Sequence, residues 1–487
     1  MDKLRLEVIS GLDRKERSSL GQFMTPSRIA CFMAALFEST GSREAFLLDA
    51  GAGVGSLTAA FLDRWEGGGF GFERVEASAY EIDETLRRHL AHNLASYEKN
   101  PRFRSSVYPG DFIETAVEAI QFQHGPRFTH AILNPPYKKL ASASRHRRLL
   151  REVGIETVNL YSAFVALSVV LMKPGGQISV IIPRSFCNGP YYRPFREFLL
   201  DRTAIRHIHL FDSRKKAFKD DEVLQENVIL LLEVEGEQGS VRISTSTDAT
   251  FGDLTTQERV FEQIVFPEDS EKFIHIPTNE GHDAIGALPF ISASLSDLGI
   301  SVSTGPVVDF RLREHIRKMP DSETVPLLYP THFAGGELEW PKVETKKPNA
   351  IVLNEATKKW LFPTGRYTVT KRFSSKEERR RIVASVITPS FCKGSGFIGL
   401  ENHLNVFHIN RKGLPEDLAQ GLAVYLNSTV ADMYLRRFSG HTQVNATDLR
   451  LLKYPVKSIL LALGKWAKRR KSLSQQQIDK KVEELTK

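Results

Sequence analysis

Ala45-Phe46-Leu47-Leu48-Asp49-Ala50-Gly51-Ala52-Gly53-Val54-Gly55 decides the fold of this chain. A short apolar run ends in an acid and then breaks into glycines before an amphipathic stretch begins. That order is a strand, a tight turn and a helix, with the glycines letting the backbone approach a ligand closely. A nucleotide-like cofactor can then lie across the strand ends. Working outward, further apolar runs alternate with helical periodicity, the βαβ signature of a mostly parallel sheet covered by helices. Strands are expected at Ala45–Asp49, Ala77–Ile82, Ser106–Tyr108, His130–Leu133, Gln177–Ile182, Ile205–Phe211 and Asn227–Val234. Helices are expected at Ser27–Phe37, Gly55–Trp65, Glu84–Tyr97, Leu160–Met172 and Tyr192–Asp201, with Lys173-Pro174-Gly175-Gly176 stopping the fourth.

At 487 residues the chain is long enough for two domains, each with its own core. The βα rhythm fades near residue 240, so the expected division is a domain over 1–240 and a mixed α+β domain over 241–487. With 41% hydrophobic and 25% charged residues, the composition is that of a soluble globular protein. Neither a bilayer-length apolar run nor an export-type leader is evident, so a cytoplasmic protein without a membrane partner is expected. Cys31, Cys187 and Cys392 lie too far apart for a metal or disulfide framework and read as buried free thiols. A net charge of +8 is compatible with a polyanionic partner.

Two further motifs carry chemistry. Tyr80-Glu81-Ile82-Asp83 ends the second strand and places a carboxylate where a ribose diol needs an acceptor. Asn134-Pro135-Pro136-Tyr137 ends the fourth. An adenine amino group is a poor nucleophile because its lone pair is delocalised into the ring. The Asn134 side-chain oxygen and the Pro135 carbonyl can each accept one N–H, drawing that nitrogen toward tetrahedral geometry. The prolines stiffen the turn, and Tyr137 can stack on the base. Standing alone, the tetrapeptide would be an ordinary rigid loop, but here it follows the glycine turn and the acidic strand end in order.

On these motifs, residues 20 to 235 resemble the gamma class of DNA adenine-N6 methyltransferases of type II restriction–modification systems. The resemblance implies a Rossmann-like, seven-stranded class I methyltransferase domain followed by a DNA-recognition domain. It implies S-adenosyl-L-methionine as cofactor, double-stranded DNA as substrate, no metal, and a possible separately encoded cognate endonuclease. Gly21-Gln22-Phe23-Met24-Thr25-Pro26 resembles the motif that closes over the methionine part of the cofactor, with Phe23 and Thr25 as contacts. Asp49, Gly51, Gly53 and Gly55 match the glycine motif, Glu81 the ribose acid, Ile82 a neighbour of the cofactor adenine, and Asp111-Phe112 the segment reading that ring. Asn134 serves both cofactor and base in this scheme, and Asn159-Leu160-Tyr161 to Phe164 borders the same pocket. Two departures stand out: His130 replaces an often acidic residue and is expected to be packed, and the second aromatic stacking on the base falls at Phe218 only by position.

Arg145, His146, Arg147, Arg148 and Arg151, with Arg214, Lys215 and Lys216, form basic runs near this chemistry, and Arg145, Arg147, Arg148, Lys215 and Lys216 are the candidate phosphate contacts. In the second half, segments containing Arg311, Arg372, His441, Gln443 and Asn445 carry side chains suited to base edges. An Asn-Pro-Pro-Tyr turn also serves methyltransferases of RNA bases or of protein glutamine. Pro320-Asp321 with Glu344-Thr345-Lys346 is a chance-grade match to a metal nuclease, which would make a combined nuclease–methyltransferase. The sequence fixes neither the oligomeric state nor the DNA site.

Overall fold

The computed structural model describes residues 24–125, 127–211, 226–267, 269–276, 290–334, 337–374, 378–392, 394, 396–438, 443–470 and 472–486. The chain divides into two compact units at residue 278.

The first unit is built on a nine-stranded sheet in the order β3-β2-β1-β4-β5-β7-β6-β8-β9. Its strands are β1 (Glu44–Ala50), β2 (Arg74–Glu81), β3 (Phe103–Pro109), β4 (Phe128–Leu133), β5 (Met172–Pro183), β6 (Thr203–Phe211), β7 (Asn227–Val234), β8 (Val241–Ser246) and β9 (Thr255–Arg259). β3, β2, β1, β4 and β5 run parallel, and β7 lies antiparallel between β5 and β6. This is the class I methyltransferase arrangement, extended by β8 and β9.

Both faces are covered, so strand residues alternate between two cores. Leu48 and Ala50 of β1 pack with α4 (Phe112–Gln121), α5 (Arg145–Glu152), α6 (Leu160–Leu171) and α7 (Arg193–Arg202). Ala45 and Leu47 pack with α1 (Ser27–Ala35), α2 (Ser56–Glu66) and α3 (Glu84–Tyr97). Burial on both faces explains why β1, β4 and β7 are near-continuous apolar runs.

All seven expected strands are present. The sequence reading omits α4 and α5, and its break at residue 240 is too early. Val241–Ser246 pairs in parallel with β6 and Thr255–Arg259 pairs with Val241–Ser246, so both belong to the first unit's sheet. The fourth expected helix ends at Leu171, as Lys173–Gly176 imply, and those four residues lie in the first part of β5, which shifts register against β4 between Phe128 and His130. His130 is packed, as expected: it is fully buried among Phe37, Phe61, Phe70 and Phe72. That burial pushes its imidazole down to about 4. The cysteine expectation fails at Cys31, which is exposed, while Cys187 is a buried free thiol. Among the described residues no helix is long and apolar enough to cross a membrane.

The second unit combines short strands with helices. A four-stranded antiparallel sheet runs in the order 301–304, 404–408, 367–371, 384–387. Its helices include α8 (Glu416–Leu426), α9 (Thr429–Phe438), α10 (Ala446–Leu451) and α11 (Lys457–Lys468). α8 and α11 meet backbone to backbone. A Cβ on Gly421 would fall 1.8 Å from the Leu460 carbonyl oxygen, and one on Gly464 1.8 Å from that of Asp417. Lys468 closes the end of this pair onto Glu416 and Asp417 at 3.2 and 2.8 Å.

Gly421→Ala or Gly464→Ala must push two helix backbones apart, so each is expected to destabilise the protein by at least the 1 to 3 kcal/mol that is roughly typical of overpacking. A denaturant titration that leaves the unfolding midpoint unchanged would refute this close crossing.

Candidate active site

The glycine turn is built by backbone geometry first. Gly51, Gly53 and Gly55 adopt φ of +80°, +57° and +86°, a region costly for any residue with a Cβ. The N–H groups of Gly51 and Ala52 both donate to the Tyr80 carbonyl at 2.9 Å, fixing the end of β1 to the end of β2. Gly53 N–H then donates to Glu81 Oε2 and Asp83 N–H to Glu81 Oε1, both at 2.8 Å. Each carboxylate oxygen is therefore oriented before any ligand arrives. Burial nonetheless holds the Glu81 carboxyl above the usual range. Asp83 continues the chain by capping α3 through the Leu86 N–H.

Beyond this turn lies a cavity of about 280 Å³. Thr25, Gly51, Gly53, Glu81, Ile82, Asp111, Phe112, Asn134 and Pro136 line it, so nine residues singled out in the sequence converge on one space. Leu160 and Phe164 of α6 border it as well. Hydrogen bonds between Leu140 and Val158 and between Leu160 and Lys138, both at 2.8 Å, bring the start of α6 to the turn after β4. Asp49, Gly55, Pro135 and Tyr137 adjoin lining residues in the chain but do not themselves line it. A Cβ on Gly51 would fall 3.6 Å from Phe164 and 4.0 Å from Pro136, whereas one on Gly53 would meet nothing within 4 Å.

Met24, from the same motif as Thr25, lines it too, as do Tyr80, Lys138 and His146, to which the sequence assigned no cofactor contact. His146 approaches through Asp111: one oxygen of that carboxylate caps α4 through the Ile113 N–H, and the other meets His146 Nε2 at 2.9 Å. No local spacing foretells this pair, because residues 35 positions apart meet only after folding. Tyr80 stacks on Tyr108 at 4.7 Å between ring centres, beside Ile82, whose side chain is 58% exposed.

At the end of β4 the Asn134 amide is held from both ends. Nδ2 donates to Thr25 Oγ1 at 2.9 Å, and Oδ1 accepts from the Tyr137 hydroxyl at 3.0 Å. That hydroxyl also lies 3.3 Å from the Ile181 carbonyl oxygen. Tyr137 packs edge-on against Tyr161, which stacks on Tyr192.

The basic residues divide by availability. Arg145 pairs with Glu114 at 2.9 Å and Arg147 with Glu156 at 2.6 Å, whereas Arg148 is exposed and has no ion pair among the described residues. In the second unit Arg372, Gln443 and Asn445 come together. The half-buried Arg372 guanidinium donates to Asn402 O, Gln443 Oε1 and Asn445 Oδ1 at 2.8, 3.1 and 3.4 Å. Its neighbour Phe373 is 53% exposed and packs at a tilt against His403, 5.0 Å between ring centres. Arg311 is exposed and lies over the Phe310 ring. Phe23, Lys215, Lys216, Phe218 and His441 lie outside the described residues.

Asp49 gives a test. Its Oδ2 accepts the Thr58 hydroxyl at 2.6 Å while Oδ1 is buried without a partner, and burial pushes the carboxyl up to about 7. A carboxyl raised in the folded state stabilises the fold fully below its unfolded value, and that contribution is lost as pH rises toward 7. Asp49→Asn is therefore expected to melt higher than the parent at pH 8 and to converge with it near pH 4. Parallel melting curves across that window would exclude a buried, destabilising charge.

A family described as the Eco57I restriction-modification methylase matches residues 70–218. The type II methyltransferase M.BsuBI of Bacillus subtilis is 54% identical, over 100% of this chain and 97% of its own. M.PstI of Providencia stuartii is 45% identical, over 94% and 92%. Among solved structures, the DrdV–DNA complex shares the fold at a TM-score of 0.52 and 13% identity, over 93% of this chain and 57% of that one. With more than half its residues shared along the whole length of one such enzyme, the chain belongs to the type II DNA methyltransferases of restriction–modification systems.

Proposed function

We propose that the chain transfers the methyl group of S-adenosyl-L-methionine to the exocyclic N6 of an adenine flipped out of duplex DNA. The observation that carries this reading is the Asn134 amide, held by Thr25 and lining the same cavity as Gly53 and Glu81. The residues fit the cofactor. Glu81 offers oriented acceptors to a ribose diol, Ile82 and Phe112 offer apolar surface to a purine, and Gly51 and Gly53 leave space that side chains would fill. The unpartnered Asp49 oxygen suits a nearby cationic group. When bound, that cofactor supplies a methyl carbon made electrophilic by its sulfonium.

The protein's own part is to make N6 a nucleophile. Asn134 Oδ1 has two lone pairs, so it can accept one N6–H, and the Pro135 carbonyl accepts the other. The nitrogen lone pair is then directed at the methyl group, and these acceptors act mainly as charge develops on N6. The N–C bond forms as the S–C bond breaks, and N6 afterwards loses one proton. Extruding the base costs a few kcal/mol, and stacking on the Tyr137 ring, about 1 to 3 kcal/mol, offsets part of this.

Sequence is read in the second unit on this proposal, because the residues after β4 meet only the flipped base. Arg372, Gln443 and Asn445 are the best placed of the candidates, since their mutual bonds hold a guanidinium in one orientation. The setting is the cytoplasm, beside a separately encoded endonuclease, as membership in restriction–modification systems suggests.

Asn134→Ala should nearly abolish methyl transfer while leaving cofactor affinity by calorimetry close to the parent's. Retention of parental turnover would overturn the adenine mechanism. Gln443→Ala should relax or shift the methylated sequence, losing about 1 to 3 kcal/mol of discrimination at one position. Arg148→Ala should instead weaken binding to all sequences and flatten its salt dependence. Genome-wide mapping of N6-methyladenine, with binding titrations at several salt concentrations, separates the two. A changed motif for Arg148→Ala, or an unaltered one for Gln443→Ala, contradicts this division. Asn445 is a poorer probe because it also caps α10.

A further inference from the structure

An amide is nearly symmetric in shape but opposite in chemistry at its two ends. If the Asn134 side chain turned over, its N–H would face the N–H of the incoming amine, and the turn would repel the nitrogen it has to activate. Something must fix which end faces the base. Thr25 is placed to do this: it is 4% exposed, its Oγ1 lies 2.9 Å from Asn134 Nδ2, and it is 109 residues away in the chain. It is also firmly seated. Pro26 follows it at the N-cap of α1, whose Ile29, Ala30 and Met33 are buried against the sheet.

The other end of the amide is held differently. The Tyr137 hydroxyl that donates to Oδ1 has a second acceptor in reach, Ile181 O at 3.3 Å. Its hydrogen can turn to that carbonyl and release an Oδ1 lone pair as the base arrives. Thr25 Oγ1 meets Nδ2 rather than Oδ1, so it does not compete with the base for that oxygen.

We propose that Thr25 is a positioning residue for methyl transfer, accepting from Asn134 Nδ2 so that Oδ1 faces the amine to be methylated. This goes beyond a part in closing over the cofactor, although Thr25 also lines that cavity. It rests on the reading that Asn134 activates the amine. Orientation of the catalytic amide thus depends on the segment leading into α1, far from β4 in sequence.

The test compares Thr25→Val, which keeps the shape and removes the acceptor, with Thr25→Ser, which keeps the acceptor. Steady-state rates on DNA at saturating S-adenosylmethionine, cofactor KM, and extrusion of a fluorescent adenine analogue are measured for each. Thr25→Val should lower kcat roughly tenfold or more, the effect of losing one hydrogen bond in the transition state, with a smaller change in cofactor KM and undiminished extrusion. Thr25→Ser should restore kcat. In an Asn134→Ala background, Thr25→Val should cause no further loss of the residual rate. Should the valine variant fail to fold, Thr25→Ala removes the same acceptor without adding atoms. An unchanged kcat with a raised cofactor KM overturns the inference, as does a full additional loss in the Asn134→Ala background. Parental turnover by Asn134→Ala would instead overturn the reading beneath it, so the two failures are distinguishable.

Discussion

Parallel pairing of β1 with β2 on one side and β4 on the other is the constraint from which the site follows. Parallel neighbours end at the same edge of the sheet, so the glycine turn, Glu81 and Asn134 are delivered to one place by hydrogen-bond register alone. The turn then adds its own bonds to Tyr80 and Glu81, converting a shared edge into a shaped one. Each strand contributes a different chemistry to that edge: backbone amides from β1, a carboxylate from β2 and an amide from β4. None of these groups needs a long side chain to reach the others.

The electrostatics of the first unit are as selective as its shape. Asp49 and Glu81 are carboxyls whose burial disfavours charge, and only a positive or strongly hydrogen-bonding neighbour repays their ionisation. Histidines elsewhere in the same unit take the opposite course. His207 and His209 share the Ser244 hydroxyl and are pushed down to about 4 and 3, which keeps both neutral at ordinary pH. The sheet thus carries latent negative charge at the cavity and none of the compensating positive charge inside its core that these rings could have supplied.

How much of this was legible in the sequence depended on where each signal is stored. β1, β4 and β7 are buried on both faces and read as near-continuous apolar runs. α4 and α5 did not, because α5 buries only Leu150 and is otherwise a string of charges, while α4 was overshadowed by the Asp111-Phe112 motif at its start. Strands of two to five residues in the second unit are too short for any period to appear. At the site, residues placed by strand ends were found by order along the chain. The pairings that hold those residues were not. His146 beside Asp111, Thr25 beside Asn134 and Arg372 between Gln443 and Asn445 are pairings across 35 to 109 positions, and only tertiary structure records them.

If the second unit reads the DNA site, as proposed, the crossing of α8 and α11 bears on how such an enzyme can change its target. Glycine alone among the amino acids lacks a Cβ, so every amino-acid change at Gly421 or Gly464 places an atom where the other helix's backbone already sits. Exposed positions such as Phe310 and Phe373 carry no comparable restriction. Diversification by point mutation is therefore channelled: the second unit can explore new surface chemistry while the junction of its two helices stays locked in the DNA that encodes it.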